Sequence, residues 1–476
     1  MQRELTILQI NDVHAYLDMH PELFFGPKGL EYRKAGGYAR IASLVKGIRA
    51  ERPQGSLLLD NGDTLHGTYP ALSSQGRALT PILNSLGLDA MTVHWDAVYG
   101  PEILKARAEE LNYPILASNL QHENNAEQPF ASYQVLEKAA LRIGLIGLAS
   151  NLIKPPFSPG FTTDLGLQRL PGLIENLRSR EKVDLVVLLS HLGFPQDLQL
   201  ATDVPGIDVL LSGHTHNRVY QPIQQGHSLI IQSGSHGSFL GRLDLLLEEG
   251  QLTDYNHELL VVEQEIEPDP EVHSLVESTL APFKQELSEV VGETAQSLDR
   301  VGMLETTLDN LLLLALQEST GTELAFSNGW RYGAPILPGK VTLNDLYNII
   351  PMNPPVMTIE LIGEELTMML EENMERTFSR DPYQQMGGYL KRALGLKAYI
   401  KAENPAGQRL QKLFIGEQPV QPGRVYQASF VTEQGVPMKY GRNRQKQGQH
   451  AVDALRSYVK QHRPLQVNLL RTFVLV

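Results

Sequence analysis

Five short apolar runs in the first half of the chain each stop at an aspartate or a histidine, and this recurrence constrains the fold more than any other feature. Residues 4–10 lead into Asn11-Asp12-Val13-His14, and residues 56–59 into Asp60-Asn61-Gly62-Asp63. Residues 89–93 lead into His94, and residues 184–189 into Ser190-His191. Residues 208–211 lead into Ser212-Gly213-His214-Thr215-His216-Asn217. Runs that are short and apolar throughout suit strands buried on both faces of a sheet. Helical periodicity lies between most of them: after Gly36-Gly37-Tyr38, for example, Ile41, Leu44, Val45 and Ile48 line one face. A further run, Leu141–Leu148, is punctuated by Gly144 and Gly147. The alternation predicts a layered α/β domain that gathers polar side chains at its strand ends.

Asp12, His14, Asp63, His94, His191, His214 and His216 are therefore the candidate metal ligands. A turn at Gly213 is expected to let His214 and His216 share one focus. Imidazoles mixed with carboxylates suit manganese, zinc or iron better than calcium. The chain has no cysteine, which excludes thiolate sites and disulfides. His20, His66, His122 and His236 lack the spacing or the strand-end setting and are set aside. Asn61 and Ser190 are expected to support the ligands or to help the turns.

A chain of 476 residues exceeds one core. The texture changes near residue 260, where Glu263–Pro270 is acidic and Pro-bearing. The expected division is a catalytic domain over 1–262, a linker and connecting helix over 263–291, and a second α/β domain over 292–476. Pro282 is expected to kink or divide the connecting helix. Later elements are expected at 308–316, 343–350, 356–362, 364–374 and 426–431, with a solvated basic loop over 439–446 and a helix over 451–460. A formal charge of −13 argues against a nucleic-acid polymer as partner, although bound cations still admit an anionic substrate. No apolar stretch reaches the roughly 18 residues that span a membrane. No leader precedes residue 5, so the expected location is cytoplasmic as written, or periplasmic if a signal peptide has been removed.

Asp12-x-His14, Asp63, His191 and His214-x-His216 together resemble the calcineurin-like metallophosphoesterases, and the downstream half resembles the second domain of the 5′-nucleotidases. The resemblance implies a layered β-sandwich flanked by helices plus a smaller C-terminal α/β domain. It also implies two divalent cations, manganese first and zinc or iron as alternatives. Asp12, His14 and His216 would hold one ion, His191 and His214 the other, and Asp63 would bridge them. In most of the family an Asn ligand and an acid His oriented by an Asp follow within one Gly-rich stretch. Here those positions are His94, Trp95 and Val98, anchored on Tyr99-Gly100. His94 retains a metal-binding ring, but Trp95 offers no titratable proton. The His-Trp pair resembles the thiosulfohydrolase (SoxB) branch, although Asp96 and Val98 depart from its usual residues. Asp381-Pro382-Tyr383-Gln384-Gln385-Met386-Gly387-Gly388 resembles a loop of the same branch.

The substrate residues expected from these resemblances are Arg331, Asn328, Tyr383, Gln385, Gly387 and Gly388. Glu305 and Asn310 match a further family motif, with Leu304 where an arginine is usual. Met352 and Met438 stand where the nucleotidases stack a base between rings, and Val436 replaces a base-contacting Asp. Trp330 and Tyr383 are expected to pack, or to supply another platform. Three functions follow. The first is a hydrolase in which water activated between the cations cleaves a carrier-bound cysteine S-sulfonate and releases sulfate. The second is a phosphomonoesterase acting on nucleotides or sugar nucleotides. The third is a metal-bearing binding protein without turnover.

Overall fold

The computed structural model describes residues 2–155 and 158–476. The chain forms two compact units, one of residues up to Glu22 with Arg33–Pro282, the other of Leu23–Tyr32 with Phe283–Val476.

Two large sheets frame the first unit. One has the order Gln251–Val261, Phe239–Glu248, Gln2–Ile10, Ser56–Asp60, Ala90–Met91. The other runs Ile223–Gln225, Ser228–Ile231, Val209–Ser212, Leu185–Ser190, Leu141–Leu148, Tyr133–Lys138. The sequence runs are continuous in hydrophobicity because each strand serves two cores. Leu5, Ile7, Leu57 and Leu59 pack with Leu145, Val187, Leu189 and Leu211 between the sheets. Leu8, Ile10 and Leu58 join Ile41, Val45 and Leu83 of the helices outside the first sheet. Ile146, Leu148, Leu188 and Leu210 do the same with Ile174, Leu177 and Leu200 outside the second. This is the helix-flanked sandwich expected. The run at 89–93 gives only the two-residue strand Ala90–Met91; Thr92 N–H makes the last ladder bond, to Asp60 O, before the chain leads to His94.

Register explains why the ligands meet. Ser190 pairs with Ser212 in parallel strands, and Ile10 pairs with Asp60. His191 and the 213–216 turn thus leave one sheet at the same level, while Asp12 and Asp63 leave the other.

Pro270–Leu280 is helical with Asp269 as its cap, and Pro282 falls in a 3-10 turn, Ala281–Phe283, before a short helix at Lys284–Leu287. In the second unit a five-stranded sheet has the order Arg392–Leu394, Leu324–Ser327, Val425–Phe430, Pro355–Ile362, Arg442–His450. Helices Thr307–Thr320, Leu343–Ile349 and Ala451–Gln461 share one core. Gly363–Phe378 contributes to a second. The basic stretch is not a loop: Arg442–His450 is the edge strand, pairing with Pro355–Ile362, and Arg442 bonds Glu360 at 3.1 Å. Sequence gave only its charge, and an edge strand tolerates charge because one side faces water. Among the described residues no helix is long and apolar enough to cross a membrane.

Candidate metal centre

The strand ends place the expected ligands in two adjoining groups. Asp63, His94, His191 and His214 form one and Asp12, His14 and His216 the other, with the ligand atoms of each group within 4.8 Å of one another. All are buried except the partly exposed His216. Asp63 Oδ2 faces both groups: it lies 3.0 Å from His94 Nδ1, 3.4 Å from His191 Nε2 and 3.8 Å from His14 Nε2. Asp12 Oδ1 lies 3.2 Å from His216 Nε2 and 3.6 Å from His191 Nε2.

The electrostatics suit a cation. Burial alone would raise the Asp12 and Asp63 pKa values, but the surrounding imidazoles outweigh it and hold both carboxyls well below the usual range. Burial lowers His14, keeping it neutral. Burial works the same way on His191, yet Asp12 and Asp63 overcome it and push that imidazole to about 9. A positive charge is wanted where His191 meets the two carboxylates. His14 and His216 also point Nε2 at Nε2 across 3.2 Å. Two ionised carboxylates and five imidazoles, with no lysine or arginine among them, fit divalent first-row cations.

Gly213 is not left-handed; His214 and His216 are, at φ 70° and 57°. Asp12, His14 and Asp63 share this conformation at φ 50°, 50° and 57°. Non-glycine residues are uncommon there, and their clustering marks strain retained at a functional site. Gly213 serves close approach instead: a Cβ would sit 3.0 Å from His191 Nδ1.

Supporting groups fix the ligands. His191 Nδ1 faces Asn61 O, which directs Nε2 inward. Asn61 Nδ2 bonds Ser190 O and Leu211 O, and Gln9 Nε2 ties Asn61 Oδ1 to Ser212 O. Ser190 acts one layer back: its hydroxyl and that of Ser212 both donate to Asp197 at 2.6 Å. Gln232 clamps the His turn, bonding Gly213 O and Asn217 N–H. Trp95 N–H holds Asp63 Oδ1 at 2.8 Å, leaving Oδ2 to the imidazoles.

Asp96 carries more than its sequence setting suggested. Its carboxylate accepts from the N–H groups of Asp63 (2.9 Å), Thr64 (3.0 Å), Leu65 (2.7 Å) and His94 (3.1 Å). Asp96→Asn turns two of those acceptor positions into a clash of donors. It should cost about 3 kcal/mol, read as a lower unfolding midpoint in denaturant with m unchanged.

Three of the histidines set aside lie at or beside this centre. The His66 ring stacks on Trp95 at 5.8 Å, and burial pulls its pKa to about 4. His236 and His20 meet Glu22 beside His14 and His216. The partners of His66 and His236 are too distant in sequence for spacing to reveal them, and His20 stands at the start of a strand rather than at its end. His122 packs elsewhere, on Phe161.

In the second unit the structure joins two of the expected substrate elements. Arg331 Nη1 donates to Gly387 O, and its guanidinium lies 5.1 Å from the Tyr389 ring centre. Tyr389 gave no sequence signal. Tyr383 is half-buried and Gly388 exposed, while Gln385 bonds Ser379 O at 2.8 Å. Asn328 is half-buried, and Trp330 belongs to the core. Arg392 and Arg300 bracket the buried Asp309, a structural triad. Glu305 bonds Asn310 at 2.7 Å and the N–H groups of Leu470 and Arg471. Val436 is fully buried, whereas Met352 and Met438 are exposed.

Residues 290–431 match the model of the 5′-nucleotidase C-terminal domain. The chain is 25% identical over 466 residues to the trifunctional nucleotide phosphoesterase YfkN of Bacillus subtilis, covering 87% of this chain but only 30% of that protein. It is 22% identical over 487 residues to UshA of Escherichia coli, covering 90% of this chain and 84% of UshA. Among solved structures, the sulfate thiohydrolase SoxB of Thermus thermophilus superposes with a TM-score of 0.90 at 23% identity, covering 99% of this chain and 96% of that one. A 5′-nucleotidase precursor from the same organism gives 0.88 at 22% identity, covering 99% of each.

Proposed function

We propose that this chain, read as a member of the 5′-nucleotidase superfamily, is a metal-dependent hydrolase that cleaves a cysteine S-sulfonate, carried on a protein or peptide, and releases sulfate. The observation that carries this reading is Trp95. It stands where the family's acid histidine is expected, and Val98 where its orienting aspartate is expected. The Trp95 ring lies against His94 at 5.1 Å and His66 at 5.8 Å, so it fills the acid's place with an apolar wall. His66 does not substitute for the acid, since a group near 4 is unprotonated at neutral pH. A thiolate, with a parent pKa near 8.5, leaves without an acid; an alkoxide does not.

Asp12, His14 and His216 would hold one cation, His94, His191 and His214 a second, and Asp63 would lie between them. When bound, such a pair acidifies water and neutralises charge developing on an oxyanion. The chain's own share is placement. Asn61 O fixes the His191 tautomer, Trp95 N–H fixes Asp63, and Asp96 holds the loop that carries both Asp63 and His94. In the second unit Arg331, set against Tyr389 and Gly387, offers a guanidinium to an oxyanion.

A nucleotide phosphoesterase is the second reading. The match to a trifunctional nucleotide phosphoesterase favours it, whereas Met352 and Met438, standing where stacking rings are expected, count against a base, although their exposed thioethers can still contact one. The manganese-loaded protein, given a peptide cysteine S-sulfonate and a 5′-nucleoside monophosphate side by side, separates the two. Sulfate release alone is expected; phosphate release alone would overturn the S-sulfonate assignment. Chelation should abolish either activity. By removing a ligand present at about a thousand times its Kd it should also lower Tm by roughly 10 °C, measured by differential scanning calorimetry.

A further inference from the structure

Beside the candidate centre, a third group of buried side chains converges without belonging to it. His20 Nε2, Glu22 Oε2, His236 Nδ1 and Ser238 Oγ face one another, and all four residues are buried. We infer that these four atoms form a third cation site of zinc type, weaker than the main centre.

Geometry supports this first. A tetrahedral ion bound at about 2.0–2.1 Å holds its ligand atoms roughly 3.3 Å apart. The separations here are 3.1 Å for His236 Nδ1 to Glu22 Oε2, 3.0 Å for Ser238 Oγ to Glu22 Oε2, and 3.2 Å for Ser238 Oγ to His20 Nε2. Hydrogen bonds would also account for those three. His20 Nε2 and Glu22 Oε2 face each other at 3.9 Å within the same group.

The anchoring of His20 supports it independently. His20 Nδ1 lies 3.1 Å from Asp18 O, a carbonyl that can only accept, and this holds Nε2 toward the group. An imidazole anchored by a backbone carbonyl on its far nitrogen is the usual setting of a metal-ligating histidine. The Tyr16 ring walls the site at 4.4 Å from His20 and 4.8 Å from His236.

The same surroundings rank the site. Arg218 Nη2 lies 3.0 Å from Glu22 Oε1, the oxygen turned away from the group. That guanidinium offsets the site's one negative charge, whereas Asp12 and Asp63 have no such neighbour among their ion pairs. The third site should therefore bind zinc at least tenfold more weakly than the main centre. It should fill last and empty first. Two nitrogen donors favour zinc over calcium or magnesium.

Zinc uptake by the full-length chain, followed by equilibrium dialysis, tests this. His20→Ala should remove one equivalent, the weakest, whether in the otherwise unchanged protein or in a His14→Ala/His214→Ala background that disables the main centre. Ser238→Ala, which adds no bulk, should weaken that equivalent about tenfold without changing the count. Cobalt loaded into the His14→Ala/His214→Ala protein should give visible absorption of a tetrahedral ion, lost on adding His20→Ala. Equal uptake and affinity with and without Ser238→Ala would overturn the site, and that comparison decides if His20→Ala fails to fold. The readout is metal content, so loss of the S-sulfonate assignment would leave this result standing.

Discussion

Asp63→Asn should lower turnover by about a thousandfold or more, while leaving the fold in place. The amide oxygen can still accept from Trp95 N–H, so the loop keeps its anchor. What disappears is a negative charge facing His14, His94 and His191 at once. A unit charge beside a cation at 4 Å contributes about 4 kcal/mol at an effective dielectric near 20, and that energy corresponds to about three powers of ten in rate. Kinetics at saturating manganese, with metal content measured on the same sample, check it. Activity within tenfold of the unmodified protein would remove Asp63 from the role of bridge.

Trp95→His combined with Val98→Asp should move activity in the opposite direction. A positioned general acid contributes about 10²–10⁴-fold when the leaving group is a strong base. Phosphomonoester hydrolysis should rise about a hundredfold in the double variant, and S-sulfonate hydrolysis should change little. Each single variant should gain much less, because the histidine needs its orienting partner. A flat phosphoester rate would sink the account of why the dyad is missing, whatever the natural substrate. The comparison requires kcat for both substrates on one preparation.

The convergence of the candidate ligands was legible in the sequence because they ride on strands. A buried strand fixes where its next residue emerges, and parallel register sets Ser190 level with Ser212 and Ile10 level with Asp60. Apolar runs closed by Asp or His therefore pointed at one edge before any contact was known. The supports were not legible. Gln232 and Glu22 read as ordinary polar residues, and Glu22 meets His236 across 214 positions of chain. Asp96 looked like a departure from a motif, yet four backbone N–H groups converge on it. The basic stretch misled because charge says nothing about hydrogen bonding: Arg442–His450 completes a sheet edge. Nor does composition show that Leu23–Tyr32 joins the second unit, where Tyr32 bonds Asp299 at 2.7 Å.

The left-handed backbone at Asp12, His14, Asp63, His214 and His216 has a consequence for selection. Each such residue costs about 1–2 kcal/mol relative to a relaxed conformation, and together they rival the roughly 5–15 kcal/mol by which a domain is stable. Glycine at any of them would relax the chain and delete a ligand in the same step. Thermostability and activity thus compete at the same codons. A library of this chain sorted for heat resistance alone should lose its candidate metal centre first, and the survivors should be sturdier proteins without the proposed activity.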